Sequence, residues 1–179
     1  MLKFAALALA LAAPIVIATP AHAADVKTLR CVEDNMNSAG RAALDKDLEK
    51  NLSNAGGEQG YSPETIAAIQ GAAKTCQAKH GWSDAATMAS ILYTVPKLGW
   101  PLAVRIGRAK GLNTDALVKR VRDLTQEEKA QGTSEEVLGK LARGSAEAGE
   151  INTDNASVAG ALYGLLTLQE KAYIDFQNS

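Results

Sequence analysis

The chain has 179 residues, of which 46% are hydrophobic and 22% charged, and its formal net charge is −1 at pH 7. Hydrophobic residues recur regularly along it, which excludes a disordered chain, and its length suits one domain with its own core. The near-neutral charge provides no general attraction to nucleic acid or to an anionic membrane, so neither is expected as a partner.

Residues 1–23 have the three parts of a cleaved secretory signal. Lys3 supplies the positive start, residues 4–17 form an apolar run, and residues 21–23 read Ala-His-Ala, an A-x-A cleavage site. The apolar run is shorter than the ~20 residues that a membrane-spanning helix needs, and an uncleaved anchor is the alternative. We therefore expect a bacterial protein, periplasmic or secreted, whose mature part is a single all-helical domain over residues 24–179.

The first part of that domain has helical spacing. We predict a helix over residues 25–36 and an amphipathic helix over residues 41–52, whose apolar stripe consists of leucines spaced four apart. The leucines of this stripe are Leu44, Leu48 and Leu52.

A glycine-rich loop follows, and the third helix begins where the loop ends. Ser62 is a typical N-cap residue, and Pro63 suits the first helical position because its missing N–H would have no partner there. The helix is predicted to run to His80, with Gly81 as its C-terminal glycine. Its buried face is predicted to contain Ile66, Ile69, Ala73 and Cys76.

The segment 84–110 holds the longest apolar run of the predicted mature chain. Ser83 is a typical cap for its first helix, but Pro96 and Pro101 interrupt the helical pattern. Proline restricts the residue before it and cannot donate a backbone hydrogen bond. We therefore predict a kinked helical hairpin, or a strongly bent helix, at the centre of the domain.

Four further helices are predicted after Gly111: residues 113–124, residues 125–132 with a T-x-x-E capping box, a helix that begins at residues 133–134, and a last one from residues 153–155 onwards. In the last helix small residues recur at every fourth position, which predicts close approach of another helix. These small residues are Ala156, Gly160 and Gly164. The whole pattern predicts a compact all-α bundle of about six to eight short helices.

Two cysteines in an exported chain predict a disulfide between Cys31 and Cys76, with two buried free thiols as the alternative. This bond would clamp the first helix onto the third.

Most catalytic templates are excluded by the residues available. His80 is the one histidine outside the signal, so a multi-histidine metal site is excluded, and no C-x-x-C, G-x-S-x-G or phosphate-binding glycine loop is present. A Cys76–His80 pair on one helix face, or two facing carboxylates, are the remaining catalytic alternatives. The candidate carboxylate pairs are Glu127/Glu128, Glu135/Glu136 and Glu147/Glu150. We expect solvated acids instead, and we predict no catalytic residue, cofactor or metal.

Charge is unevenly distributed. Residues 97–123 contain seven basic and two acidic side chains, and residues 124–154 contain three basic and seven acidic ones. The basic segment predicts a face that steers a charged partner, although the two segments could instead pair with each other. The candidate face consists of Lys97, Arg105, Arg108, Lys110, Lys119, Arg120 and Arg122.

These observations together favour a non-enzymatic periplasmic module that binds another envelope protein. The alternative is a carrier of a small apolar ligand, bound between the segment 84–110 and the last helix.

Overall fold

A computed structural model describes residues 24–55 and 57–179, and the predicted signal, residues 1–23, lies outside the described residues. Within these ranges the chain forms eight α-helices, one short 3₁₀ helix and no strand. The all-α prediction is therefore confirmed. The helices are α1 (Cys31–Asn35), α2 (Ser38–Ser53), α3 (Pro63–His80), α4 (Asp84–Ala109), α5 (Thr114–Arg122), α6 (Gln126–Gln131), α7 (Glu135–Glu147) and α8 (Ala156–Gln177).

The predicted first helix is divided into two pieces. Asp25 caps a 3₁₀ helix, Val26–Thr28, and α1 begins only at Cys31. Between them, the carbonyl of Leu29 accepts a 2.9 Å hydrogen bond from the Ser90 hydroxyl of α4. A carbonyl that is satisfied by a distant side chain does not need a helical partner, so the chain turns at this point.

The start of α3 confirms the predicted cap at Ser62 and also corrects the predicted buried face. The Asp47 carboxylate of α2 accepts hydrogen bonds from the Ser62 N–H (2.8 Å) and the Thr65 hydroxyl (2.6 Å). These bonds turn Thr65 inward, where it is fully buried, and leave Ile66 45% exposed. The predicted placement of Ile66 in the core is therefore wrong.

The predicted disulfide is present and joins α1 to α3, with 5.8 Å between the Cα atoms of Cys31 and Cys76. The leucine stripe of α2 is buried as predicted, and Gly81 ends α3 in the left-handed conformation with φ 65°.

Helix α4, Asp84–Ala109, is continuous with both prolines inside it, so the segment 84–110 does not form a hairpin. Pro96 and Pro101 have no N–H to donate, so each removes one backbone hydrogen bond from the helix. Packing compensates for this loss, because α4 and α8 form the most extensive helix pair of the fold. The apolar surface buried on both sides holds α4 helical where its local sequence predicts a break.

Two glycines of α4 permit close helix contacts. A Cβ atom built on Gly99 would lie 2.6 Å from Leu48 Cδ1, and one built on Gly107 would lie 2.9 Å from Leu162 Cδ2. In contrast, a Cβ on Gly160 or Gly164 of α8 would meet nothing within 4 Å. The prediction that the small residues of α8 admit a neighbouring helix is therefore wrong.

Helices α5, α6 and α7 pack around α8. Each has the predicted cap: the side chains of Asn113, Thr125 and Ser134 accept backbone N–H groups, and Thr125 and Glu128 form the predicted capping box. Among residues 24–55 and 57–179, no helix combines the length and the apolar character that crossing a bilayer requires.

Candidate partner-binding face and groove

The basic side chains of α4 lie along one side of the helix. Lys97, Arg105 and Arg108 are separated by eight and three residues, which places them within one stripe of a 3.6-residue helix. All three are exposed. The apolar faces of α4 bind α2 and α8, so this charged stripe is the face that remains for solvent.

Helix α5 returns beside this stripe. Near the turn between the two helices, the Arg108 guanidinium lies 3.8 Å from the Asp115 carboxylate. Further from that turn, Lys97 in the middle of α4 and Arg122 at the end of α5 line the same groove. The two helices therefore present one continuous surface, which we call the basic face. Its exposed cations are Lys97, Arg105, Arg108, Lys110, Lys119 and Arg122.

Arg120, the seventh predicted residue, forms its ion pair outside the basic face. Its side chain is 28% exposed and forms a two-pronged ion pair with Glu150, which also accepts a 3.0 Å hydrogen bond from the Ser145 hydroxyl. The Ser145 hydroxyl is in turn hydrogen-bonded to the buried Tyr163 hydroxyl. Arg120 thereby connects α5 to the end of α7 and to α8.

The Glu150 carboxylate raises the pKa of Arg120. Hydrogen bonding to Arg120 lowers the pKa of Glu150 from its usual 4.5, against the opposing effect of burial.

Four cations of the basic face have no ion-pair partner in the described part of the chain. These are Lys97, Arg105, Lys110 and Arg122. Arg108 and Lys119 pair with Asp115 and Asp123 of their own segment. Of the seven predicted residues, Arg120 alone pairs with the acidic segment, and the two segments do not neutralise each other.

A groove of about 510 Å³ lies at one end of the basic face, between α4, α5 and α8. Its apolar lining residues, which we call its floor, are Leu98, Trp100, Pro101, Val118, Val121 and Leu166, and Trp100 is partly exposed. The lining residues are Glu33, Lys97, Leu98, Trp100, Pro101, Val118, Val121, Arg122, Leu166, Gln169 and Glu170.

The charges in this groove do not cancel. Glu33 is neutralised by Arg30, whose Nε and Nη2 donate to its two carboxylate oxygens at 2.9 and 3.1 Å. Glu170 has Lys129 Nζ at 3.6 Å. Lys97 and Arg122 have no carboxylate within ion-pair distance among the described residues, so positive charge is in excess.

In the alternative carrier hypothesis, the segment 84–110 and the last helix border an apolar pocket. The groove does lie against both elements, but its lining is mixed in polarity. Sequence reasoning missed Glu33, Gln169 and Glu170, because no local pattern places α1 and the middle of α8 beside Lys97.

Of the other grooves on the described surface, two border α5 or the first half of α8. One of about 360 Å³ lies between α5 and α7 and includes Arg120, whose charge is already paired with Glu150. The other, of about 470 Å³, lies between the end of α2 and α8 and includes Leu52, Tyr61 and Leu165.

The catalytic alternatives lose support at each position. Cys76 is bonded to Cys31 and provides no thiolate, and the His80 ring stacks on Trp82 with 5.5 Å between ring centroids. Glu128 belongs to the capping box and is hydrogen-bonded to Lys140, which lowers its pKa.

A carboxylic acid that acts as a general acid, as in glycosidases, needs a raised pKa. Glu150 likewise has a lowered pKa. Glu127, Glu135, Glu136 and Glu147 are exposed. In the region that the structure describes, no three His, Cys, Asp or Glu side chains are grouped as a metal site would require.

No protein-family model, no curated protein and no solved structure matches this chain. Any function assigned to it therefore depends on its own residues and their geometry.

Proposed function

We propose that the protein is a non-enzymatic binding module of the bacterial envelope that docks another protein through its basic face. The observation that supports this most strongly is the set of four exposed cations without ion-pair partners: Lys97, Arg105, Lys110 and Arg122. Like charges on one face repel each other, and an anionic partner relieves that repulsion and associates faster.

A protein is a better candidate than a nucleic acid. Asp115 and Asp123 lie among the cations of the face and hold Arg108 and Lys119 in ion pairs. Carboxylates at these positions repel a continuous phosphate backbone, whereas a protein surface can match alternating charges.

The proposed location is supported by two features. Disulfides persist in oxidising compartments, and the Cys31–Cys76 bond joins two helices of the core. The sequence of residues 1–23 has the form of a secretory signal. The mass of the protein isolated from a periplasmic extract tests this, because cleavage removes residues 1–23.

Charge reversal on the basic face tests the proposed function. The immobilised protein is exposed to envelope extract, and the retained proteins are compared for the wild type, a K97E/R105E/R122E variant and a K46E/K50E/K74E control. The control lysines lie on α2 and α3, are exposed, and have no ion-pair partner in the described residues. Both variants therefore change the net charge equally, and only one alters the basic face.

We expect one discrete protein to be retained by the wild type and the control and to be lost with the face variant. Its retention should also weaken as salt rises from about 50 to about 300 mM, because exposed charges are screened. Retention that is unchanged by reversal of the face contradicts the proposal.

A carrier of a small ligand is the second candidate, and the groove beside Trp100 favours it. Its volume of about 510 Å³ lies in the range of ligand sites, about 300–1,000 Å³. Native mass spectrometry of the purified protein separates the two candidates: a bound molecule of constant mass supports the carrier, and an empty chain contradicts it.

A further inference from the structure

We infer that the groove between α4, α5 and α8 is the anchor site of the basic face and takes two neighbouring side chains of the partner, one acidic and one aromatic or aliphatic. This inference rests on the proposed function and adds the chemical class of the segment that the partner presents. It follows from the groove's excess charge, its apolar floor and the position of Trp100.

The excess charge selects the acidic side chain. The groove contains two carboxylates, but Arg30 and Lys129 already neutralise them from outside it. Lys97 of α4 and Arg122 of α5 have no such partner in the described residues and lie on neighbouring helices that border the groove. A carboxylate bound in the groove can accept a charge-assisted hydrogen bond from either of them.

The floor selects the apolar side chain. Leu98, Val118 and Leu166 line the groove from three different helices, and Trp100 adds a partly exposed indole. Partly exposed tryptophan in a concave site is typical of residues that dominate binding energy at protein interfaces. Lys97 and Trp100 are three residues apart on α4 and therefore lie on the same side of the helix.

The acidic and the apolar side chain of the partner are both needed for specificity. A purely apolar ligand would cover Lys97 and Arg122 without replacing their hydration, which is unfavourable. A purely acidic ligand would leave the floor uncovered and would bind equally well at Arg105 and Lys110, which are also unpaired but do not line the groove.

Trp100 fluorescence provides the assay. The other tryptophan, Trp82, is 7% exposed and packs edge-on against Phe176, so a Trp100→Phe variant supplies its background signal. The probe is a capped pentapeptide, Gly-Asp-Phe-Asp-Gly. Two comparison peptides replace either both aspartates by asparagine or the phenylalanine by alanine.

We expect the probe to change Trp100 fluorescence saturably and each comparison peptide to bind about tenfold more weakly. The K97Q/R122Q variant should also lose about tenfold in affinity. The R105Q/K110Q control carries the same charge change on the same face, outside the groove, and should stay within about threefold of the wild type.

Two results overturn the inference: no fluorescence change up to about 10 mM probe, or equal losses for the K97Q/R122Q variant and its control. Failure of the proposed function is distinguishable from both. If the probe binds as expected while envelope extract yields no retained protein, the specificity of the groove stands and the protein-binding function fails.

Discussion

Replacing both Cys31 and Cys76 by alanine should lower the free energy of unfolding by about 4 kcal/mol. The two cysteines are separated by 45 positions in the sequence. Closing a loop of that length removes conformational entropy from the unfolded chain, and the chain-entropy relation converts it to the stated value. For a domain of this size, the melting temperature should fall by about 10 °C.

Alanine is preferred to serine because both positions are buried, with Cys76 fully inaccessible. A serine hydroxyl at such a site would add a desolvation penalty of about 1–3 kcal/mol if it lacked a partner, and this would obscure the effect of the cross-link.

Urea denaturation of the wild type and the double variant, monitored by circular dichroism, measures the difference. If the bond acts by restricting the unfolded chain, its removal should also raise the slope m, because a more expanded chain exposes more surface. A reducing agent should shift the wild-type curve towards that of the variant and leave the variant unchanged.

A loss smaller than about 1 kcal/mol would refute the loop-entropy reasoning. A decrease of about 4 kcal/mol in the free energy of unfolding without a change in m would instead indicate that the disulfide acts through packing in the folded state.

The further predictions concern four single substitutions. Gly99→Ala should destabilise the fold by about 1–3 kcal/mol because its Cβ would meet Leu48 at 2.6 Å. Gly160→Ala, also inside a helix but with open space around it, should stabilise the fold by about 0.5–1 kcal/mol. If urea denaturation shows both glycine substitutions stabilising the fold, or both destabilising it, the packing described is contradicted. Thr114→Val should raise the free energy of unfolding by about 1 kcal/mol, since its buried hydroxyl oxygen has no hydrogen-bond partner; a decrease would indicate that the hydroxyl is satisfied. Glu150→Gln should reduce the loss of unfolding free energy at acid pH. The folded-state pKa of Glu150 is below 4.5, so the ionised carboxylate stabilises the fold above pH 4.5. This contribution is lost as the pH falls through the folded-state pKa. Stability curves from pH 7 to about pH 3 that are parallel for the variant and the wild type would count against this assignment.

The helix boundaries were largely predictable because they depend on neighbours within four residues. Ser62, Ser83, Thr125 and Ser134 each accept the backbone N–H three positions later, as their sequence context predicts. Gly81 follows the same logic at a C-terminus, where glycine tolerates a positive φ.

The candidate site was predictable only in part. The run of cations at residues 97–122 is visible in the sequence, but the stripe that joins Lys97 to Arg105 and Arg108 depends on α4 being continuous past both prolines. The ion pair that removes Arg120 from the face is not visible there, since its partner, Glu150, lies 30 positions further along the chain.

The sequence by itself determined the all-helical class, most of the caps and the single disulfide, because local hydrogen bonding and the presence of only two cysteines leave few alternatives. Tertiary structure decided whether Pro96 and Pro101 break α4, since packing against α8 outweighs the two lost hydrogen bonds. It also decided the charge of the groove, because Lys129 reaches the distant Glu170 while Lys97 and Arg122 have no ion-pair partner among the described residues. Such balances depend on which distant side chains meet, and no local pattern contains that information.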